Sequence, residues 1–264
     1  MKVISQPYHL RVLILPDPTV KYYFRIVGRI SPGLVLPFLL KRIFTPAQPS
    51  IRDSHQQILE QGRTLSVTLP ASGGRSALNI QAYSWSPVPQ KSQGKTVLLM
   101  HGWGRNALDF YKAIPELLKA GYDVLAFDAP AHGRSDGEQS TMLDFSDALQ
   151  AVMDQIMVPY AIVAHSVGCV AAVSALATGK YSVQKLVLNA PTVNLKSFVD
   201  HQLDGLEISG GLRKLFYQQA PATLGFDLAE QSLTQYVGKL SQHQVLVLFD
   251  ASDKTVSDKD VVAY

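Results

Sequence analysis

Five short apolar runs, spaced along the chain from residue 95 onward, constrain the fold more than any other feature of the sequence. The runs are TVLLM, YDVLAFD, YAIVAHS, QKLVLNA and QVLVLFD, and segments of helix length separate them. Parallel strands that are covered on both faces read as nearly continuous apolar runs, and their alternation with helices is typical of βαβ units. The sequence therefore predicts an α/β fold with a mostly parallel sheet and helices on both of its faces.

Two segments before this region predict further strands. RTLSVTL and LNIQAYSWS alternate between apolar and polar residues, and PASGGRSA joins them, so we expect an antiparallel hairpin or meander. Further along, TMLDFSDALQAVMDQI predicts a helix in which Thr141 and Asp144 form a capping box. The apolar face of this helix is assigned to the core and consists of Phe145, Leu149, Val152, Met153 and Ile156.

The composition is that of a globular protein. The chain has 264 residues, which suits one α/β domain with an insertion, and 47% of them are hydrophobic against 17% charged. The formal net charge is +3 and no basic block is present, which argues against a nucleic-acid partner. The single cysteine, Cys169, cannot form an internal disulfide, and the N-terminus does not read as a secretory signal. We therefore expect a cytoplasmic protein.

Residues 1–57 predict a helical arm and a linker, and residues 58–264 the α/β core. The proline-rich stretch TPAQPSIRDS at 45–54 separates the two. Within the arm, YYFRIVGRISPGLVLPFLLKRIF is apolar but carries charges and prolines, whereas a membrane span needs about 20 nearly uninterrupted apolar residues. We interpret it as a pair of short amphipathic helices that pack on the domain. The alternative is contact of residues 17–44 with a membrane surface.

Polar and reactive residues follow four of the five apolar runs, in HGWGR, APAHGRSDG, HSVG and DASDKTVS. The carboxyl ends of parallel strands meet at one edge of the sheet, where functional groups collect. In AHSVG, Ser166 stands between a predicted buried strand and the small-residue run CVAAVSALA, with the small residues Ala164 and Gly168 on either side. This pattern predicts a tight strand-to-helix turn that exposes the serine Oγ beside a helix N-terminus.

The motifs HGWG, DAPAHGRS, AHSVG and DASDKTV, in this order, resemble those of the α/β-hydrolase superfamily from about residue 65 to the end of the sequence. Within that superfamily, the chain is most similar to bacterial "HGW" serine hydrolases whose N-terminal helical arm ends in a step like IFTPAQP. The resemblance implies an α/β-hydrolase fold with Ser166 as the nucleophile. It also implies an oxyanion hole made by the backbone N–H groups of Trp103 and Val167.

Three histidines and a glycine near these motifs are assigned supporting roles. The resemblance implies that His101, which opens the oxyanion loop, braces that loop together with Gly102, and that His132 stabilises its own turn. His165 precedes the nucleophile and is assigned to bracing of the site. We expect its ring to point away from the Ser166 Oγ, because neighbouring residues leave a tight turn in different directions.

The resemblance places the catalytic acid after the last apolar run. Asp253 in DASDKTV matches that position, with Asp250 as the alternative, while Asn189 at the other usual position offers no carboxylate. A catalytic histidine should follow the acid, yet none follows Asp253 in this sequence. A serine nucleophile depends on a partner that accepts its proton.

Two explanations for the missing histidine stay open. Either the chain is truncated, so that the last helix, strand and helix of the fold are missing, or it is a degenerate hydrolase that binds a ligand without turning it over. The ending DKDVVAY reads as the opening turns of a helix and favours truncation.

The segment from about 192 to 241 predicts a small helical cap, since NLKSFVDHQLD, GLRKLFYQQA and LAEQSLTQYVGKL read as short helices. The predicted function is an esterase-like serine hydrolase that acts on a small-molecule acyl substrate through an acyl-enzyme on Ser166. A non-catalytic binding or scaffold protein of the same fold is the alternative. The sequence carries no metal-ligand cluster or dinucleotide fingerprint, so we predict no metal and no cofactor. The oligomeric state stays open.

Overall fold

The structure is a computed structural model that describes residues 2–5, 18–50, 52–72, 75–192, 194–228, 230 and 232–249. Within these residues the chain divides into two compact units. The larger unit contains residues 2–5, 46–192 and 233–249, and the smaller unit contains residues 18–45 and 194–232.

The larger unit is built on one sheet of eight strands. In chain order they are β1 (Lys2–Ser5), β2 (Arg63–Leu69), β3 (Leu78–Trp85), β4 (Thr96–Met100), β5 (Asp123–Phe127), β6 (Ala161–His165), β7 (Lys185–Asn189) and β8 (Gln244–Phe249). Their order across the sheet is β1-β8-β7-β6-β4-β5-β3-β2. β2 pairs antiparallel with β3, and β3 antiparallel with β5, while every other pair is parallel. The five apolar runs and the predicted hairpin are therefore confirmed as strands.

Eight α-helices accompany the sheet in the described residues. They are α1 (Pro18–Ile30), α2 (Pro32–Phe44), α3 (Asp53–Glu60), α4 (Ala113–Lys119), α5 (Met142–Gln155), α6 (Val167–Leu176), α7 (Leu195–Gly205) and α8 (Gly210–Leu224). The same part of the chain contains four short 3-10 turns, at Pro89–Lys91, Ala107–Phe110, Leu233–Gln235 and Val237–Lys239. The central strand β4 is buried along its whole length, and nine of the ten residues of α6 are buried.

The capping box of α5 is confirmed. The backbone N–H of Thr141 donates to Asp144 Oδ2 at 2.8 Å, and the N–H of Asp144 donates to Thr141 Oγ1 at 3.3 Å. The apolar face of this helix packs in the core as predicted, with Phe145 and Leu149 fully buried. Only Ile156, the residue that follows the helix, is partly exposed.

Two local features differ from the sequence-based expectations. The N-terminal strand β1 was not predicted, and it lies at the edge of the sheet, parallel to β8. The segment LAEQSLTQYVGKL does not form the predicted helix. Its described residues contain two 3-10 turns instead, because Ser232 forms a β-bridge with Asn194 and Gly238 favours neither helix nor strand.

The smaller unit contains α1, α2, α7 and α8, so the apolar segment of the arm is confirmed as two helices and the first two cap segments as helices. α1 passes close to α8 at Gly28, where an added Cβ would lie 2.7 Å from Leu212 Cδ2. α2 buries Val35 and Leu39 completely. None of the helices in the described part of the chain has the length and apolar character that crossing a membrane requires.

Candidate active site

Ser166 lies at the turn between β6 and α6, as predicted from the sequence. Its backbone angles are φ 52° and ψ −121°, a region that side-chain-bearing residues rarely occupy and that costs conformational free energy. Hydrogen bonds hold this turn in place, because the Ser166 N–H donates to the Asn189 carbonyl at 2.9 Å and the Cys169 N–H donates to the Ser166 carbonyl at 3.0 Å. Ser166 is partly exposed.

Small residues around Ser166 allow α6 to approach the sheet closely. Ala164 is fully buried in β6. A Cβ atom added to Gly168 would lie 2.5 Å from the carbonyl oxygen of His101 and 3.1 Å from that of Met100. Both contacts are with backbone, so a larger residue would push α6 away from β4. The small-residue pattern that the sequence shows is therefore required by the packing.

The loop that follows β4 lies directly against Ser166. A Cβ atom added to Gly102 would lie 3.0 Å from Ser166 Cβ and 3.2 Å from the His165 carbonyl oxygen. Trp103 follows, and its ring stacks on Phe145 with a centroid distance of 6.2 Å. Val167 is the first residue of α6, so its N–H has no acceptor within the helix. The two segments that carry the predicted oxyanion-hole donors thus flank Ser166.

His101 and His132 brace this loop as neutral imidazoles. His101 Nε2 accepts the Ala129 N–H at 2.9 Å, so Nδ1 carries the proton and donates to the Gly102 carbonyl at 2.7 Å. His132 Nε2 accepts the Gly104 N–H at 3.0 Å, and its Nδ1 donates to the Pro130 carbonyl at 2.8 Å. Burial is the main cause that lowers the pKa of both rings, to about 3 for His132. His101 thus contacts the loop that it was expected to brace, whereas His132, expected to stabilise its own turn, contacts that turn at Pro130 and also the loop at Gly104.

Asp128 stabilises the loop that follows β4 through hydrogen bonds, a role that the sequence analysis did not assign. It follows β5 directly, and its buried carboxylate accepts three hydrogen bonds. The donors are the Tyr83 hydroxyl at 3.0 Å, the Ala107 N–H at 2.7 Å and the Arg134 N–H at 2.9 Å. The sequence feature that could have identified Asp128 is its position at the end of the apolar run YDVLAFD.

Asp109 holds the ring of His165. The two side chains are 15% and 16% exposed, and His165 Nδ1 lies 2.9 Å from Asp109 Oδ2. Burial alone would raise the pKa of Asp109, but the hydrogen bond and charge of His165, together with the charge of Arg105, outweigh it and hold that pKa below its ordinary value. The His165 ring is therefore engaged by Asp109. The sequence analysis did not identify Asp109.

Thr192 is the third residue that the sequence analysis missed. It lies beyond β7, and its Oγ1 is 3.3 Å from the Ser166 Oγ. Its N–H also donates to the Ser166 carbonyl, at 3.3 Å. The predicted acid Asp253 and its alternative Asp250 lie outside the described residues. The structure therefore brings Ser166 together with the Gly102 loop, Thr192 and the start of α6, and leaves the acid unplaced.

Cys169, close to Ser166 in the sequence, is not a nucleophile in this fold. It is fully buried, burial raises the pKa of its thiol, and its Sγ donates to the Ala164 carbonyl at 3.2 Å. Across the residues that the structure describes, no group of three or more His, Cys, Asp or Glu side chains is placed to hold a metal ion.

Solved structures with the same fold include several bacterial and archaeal proteins. An esterase from Pyrococcus furiosus superposes with a TM-score of 0.58 at 19% identity, over 83% of this chain and 81% of that chain. An alpha-beta hydrolase from Vibrio vulnificus superposes with a TM-score of 0.56 at 17% identity, over 99% of this chain and 82% of that chain. At such identities the likeness concerns the fold.

A pimeloyl-[acyl-carrier protein] methyl ester esterase of Neisseria meningitidis is 35% identical over 107 residues, or 40% of this chain. The match spans 41% of the length of that curated relative. Residues 95–257, more than half of the chain, match the family described as alpha/beta hydrolase fold. Together with the parallel sheet and the strained serine turn between β6 and α6, this match shows that the chain belongs to the alpha/beta hydrolase fold family.

Proposed function

We propose that this protein is a serine hydrolase that cleaves carboxylic esters through an acyl-enzyme on Ser166. The observation that carries the proposal is the turn at Ser166. A partly exposed serine held at φ 52°, between a central parallel strand and a helix N-terminus, has a conformational cost that folding alone does not require. The esterase names of the Neisseria relative and the Pyrococcus structure favour an ester as the substrate.

The chemistry follows from the two segments beside Ser166. Attack of the Oγ on an ester carbonyl places negative charge on the carbonyl oxygen. In the proposed mechanism, the N–H groups of Val167 and Trp103 stabilise that charge, and the N-terminus of α6 adds its partial positive charge. The neutral rings of His101 and His132 support this role, because they fix the loop backbone without adding a competing donor for the substrate oxygen.

The base that accepts the Ser166 proton is the second part of the proposal. Among the described residues, the hydrogen-bond partner of the Ser166 Oγ is Thr192, and the nearby His165 is engaged by Asp109. Thr192 is a weak base and cannot activate serine at neutral pH. We therefore propose that the base is a histidine oriented by Asp253, as the resemblance implies.

Hydrolysis of short-chain p-nitrophenyl esters tests the function. The natural full-length protein should hydrolyse them, and Ser166→Ala should lower kcat by about 10³-fold or more. Ser174→Ala, in the same helix α6, is the matched control and should leave kcat unchanged. Activity that survives Ser166→Ala would refute the assignment.

The same ester assay tests a second candidate, a hydrolase-fold binding protein. An absence of ester hydrolysis, together with retained binding of apolar ligands, would favour this candidate. The observation that favours this candidate is the Thr192 contact, because a hydroxyl stands where the Ser166 Oγ needs a base.

A further inference from the structure

The outer face of α1 is apolar although it is exposed. Tyr22, Ile26 and Ile30 follow one another at helical spacing, and they are 59%, 37% and 80% exposed. The opposite face of the same helix is buried through Phe24 and Gly28. A surface helix of a globular protein normally presents polar residues to solvent. α1 therefore has a packed apolar face and a second apolar face that is exposed among the described residues.

The exposed apolar face continues onto α2. Leu34 is 70% exposed and Phe38 is 61% exposed, one helical turn apart, while Val35 and Leu39 on the other side of the helix are fully buried. Of the ten exposed large hydrophobic side chains in the described residues, six lie between Tyr22 and Phe38. Such a concentration marks an interaction surface, whereas scattered exposed hydrophobic residues do not. We call the exposed side chains of Tyr22, Tyr23, Ile26, Ile30, Leu34 and Phe38 the arm face.

The charged residues of the arm helices themselves all have one sign. Residues 18–44 contain five basic residues and no acidic residue. Lys21 is paired with Glu207 of the same unit at 3.3 Å. The Arg25 guanidinium lies 5.5 Å from the centre of the Tyr22 ring, and Arg29 is exposed in the next turn. Cationic groups therefore border the apolar side chains of α1.

We propose that the arm face docks on the surface of a membrane that contains anionic phospholipid, with α1 and α2 lying in the interface. Exposed aliphatic side chains, tyrosines and bordering arginines are the combination that binds such a surface, since the apolar groups enter the acyl boundary and the cations meet the phosphates. A second copy of the chain is a poorer occupant, because a symmetric pairing along this face would bring like charges together.

Flotation with vesicles tests the proposal independently of the esterase function, because it measures no catalysis. The full-length protein should float with vesicles of phosphatidylglycerol and phosphatidylcholine, and much less with phosphatidylcholine alone. High salt should weaken the binding. Replacing Arg25 and Arg29 by glutamine should lower the partition coefficient into the anionic vesicles about 25-fold, since each basic residue contributes about fivefold at such a surface.

A second variant removes the apolar contribution. It carries glutamine, a good helix former, at Ile26, Ile30, Leu34 and Phe38. Because these side chains are exposed, its circular dichroism should match the wild type, while vesicle binding should fall by about 100-fold or more. The matched control carries glutamine at Val88 and Met157, which are exposed elsewhere and should leave binding unchanged.

Three results would overturn the proposal. One is the absence of wild-type flotation with anionic vesicles, and another is equal flotation of the wild type and the four-site variant. The third is a wild-type dimer in solution that the four-site variant converts to a monomer, which would assign the arm face to a second copy.

Discussion

Replacing Gly168 by alanine tests how tightly α6 must pack on the sheet to form the serine turn. The new Cβ would lie 2.5 Å from the His101 carbonyl oxygen, whereas real Cβ atoms essentially never approach closer than 3.0 Å. The helix or the loop must therefore shift by about 0.5 Å. Overpacking of this kind costs about 1–3 kcal/mol, and the helix preference of alanine returns at most about 1 kcal/mol. Because the contact is with backbone at the end of a buried strand, we expect a net loss near 2 kcal/mol.

Thermal unfolding and the kinetics of Ser166 labelling test this prediction. A loss of about 2 kcal/mol should lower Tm by about 4–8 °C in a protein of this size. The displaced turn should also slow the reaction of Ser166 with a phosphonate probe by about 10-fold or more. The matched control is Gly211→Ala, at the same second position of a helix, where an added Cβ has no atom within 4 Å. Wild-type values of Tm and labelling rate in Gly168→Ala would refute the packing argument.

Three further predictions concern the groups around the turn. Because the pKa of His132 is about 3 in the folded protein and 6.5 in the unfolded chain, the unfolded state takes up the proton first. His132 alone should therefore lower the free energy of unfolding, measured by urea titration, by about 1.4 kcal/mol for each pH unit as the pH falls from about 6.5 toward 3, and His101 should act in the same direction. His132→Gln should flatten that slope, and an unchanged slope would contradict the role of this ring. Asp109→Ala should slow phosphonate labelling more than Asp109→Asn, which keeps an acceptor for His165, and equal rates in wild type and both variants would show that the contact does not position the turn. Cys169 should not react with a disulfide reagent until guanidinium unfolds the protein, and rapid reaction of the native thiol would contradict its burial.

The features that sequence reasoning predicted are those that depend on residues close together in the chain. Buried parallel strands read as apolar runs, which is why β4 to β8 could be located. The serine turn was predicted from three small or polar positions, Ala164, Ser166 and Gly168, because a close strand-to-helix turn excludes larger residues there. The capping box of α5 needed only Thr141 and Asp144.

The features that it missed depend on residues far apart in the chain. Asp128 meets the hydroxyl of Tyr83, which is 45 positions away, and Thr192 meets Ser166 across 26 positions. The pairing of β1 with β8 joins residues that are far apart in the chain, and no local sequence pattern predicts it. Likewise, the apolar pattern of the arm could not reveal that one face of α1 is packed and the other exposed.

Mass spectrometry after reaction with a fluorophosphonate tests the central claim most directly, because this probe reacts preferentially with an activated serine. In the natural full-length protein, the account predicts one adduct on the peptide that contains Ser166. The adduct should be lost in Ser166→Ala and retained in Ser174→Ala. An unlabelled wild-type protein, or an adduct on another residue, would contradict the account.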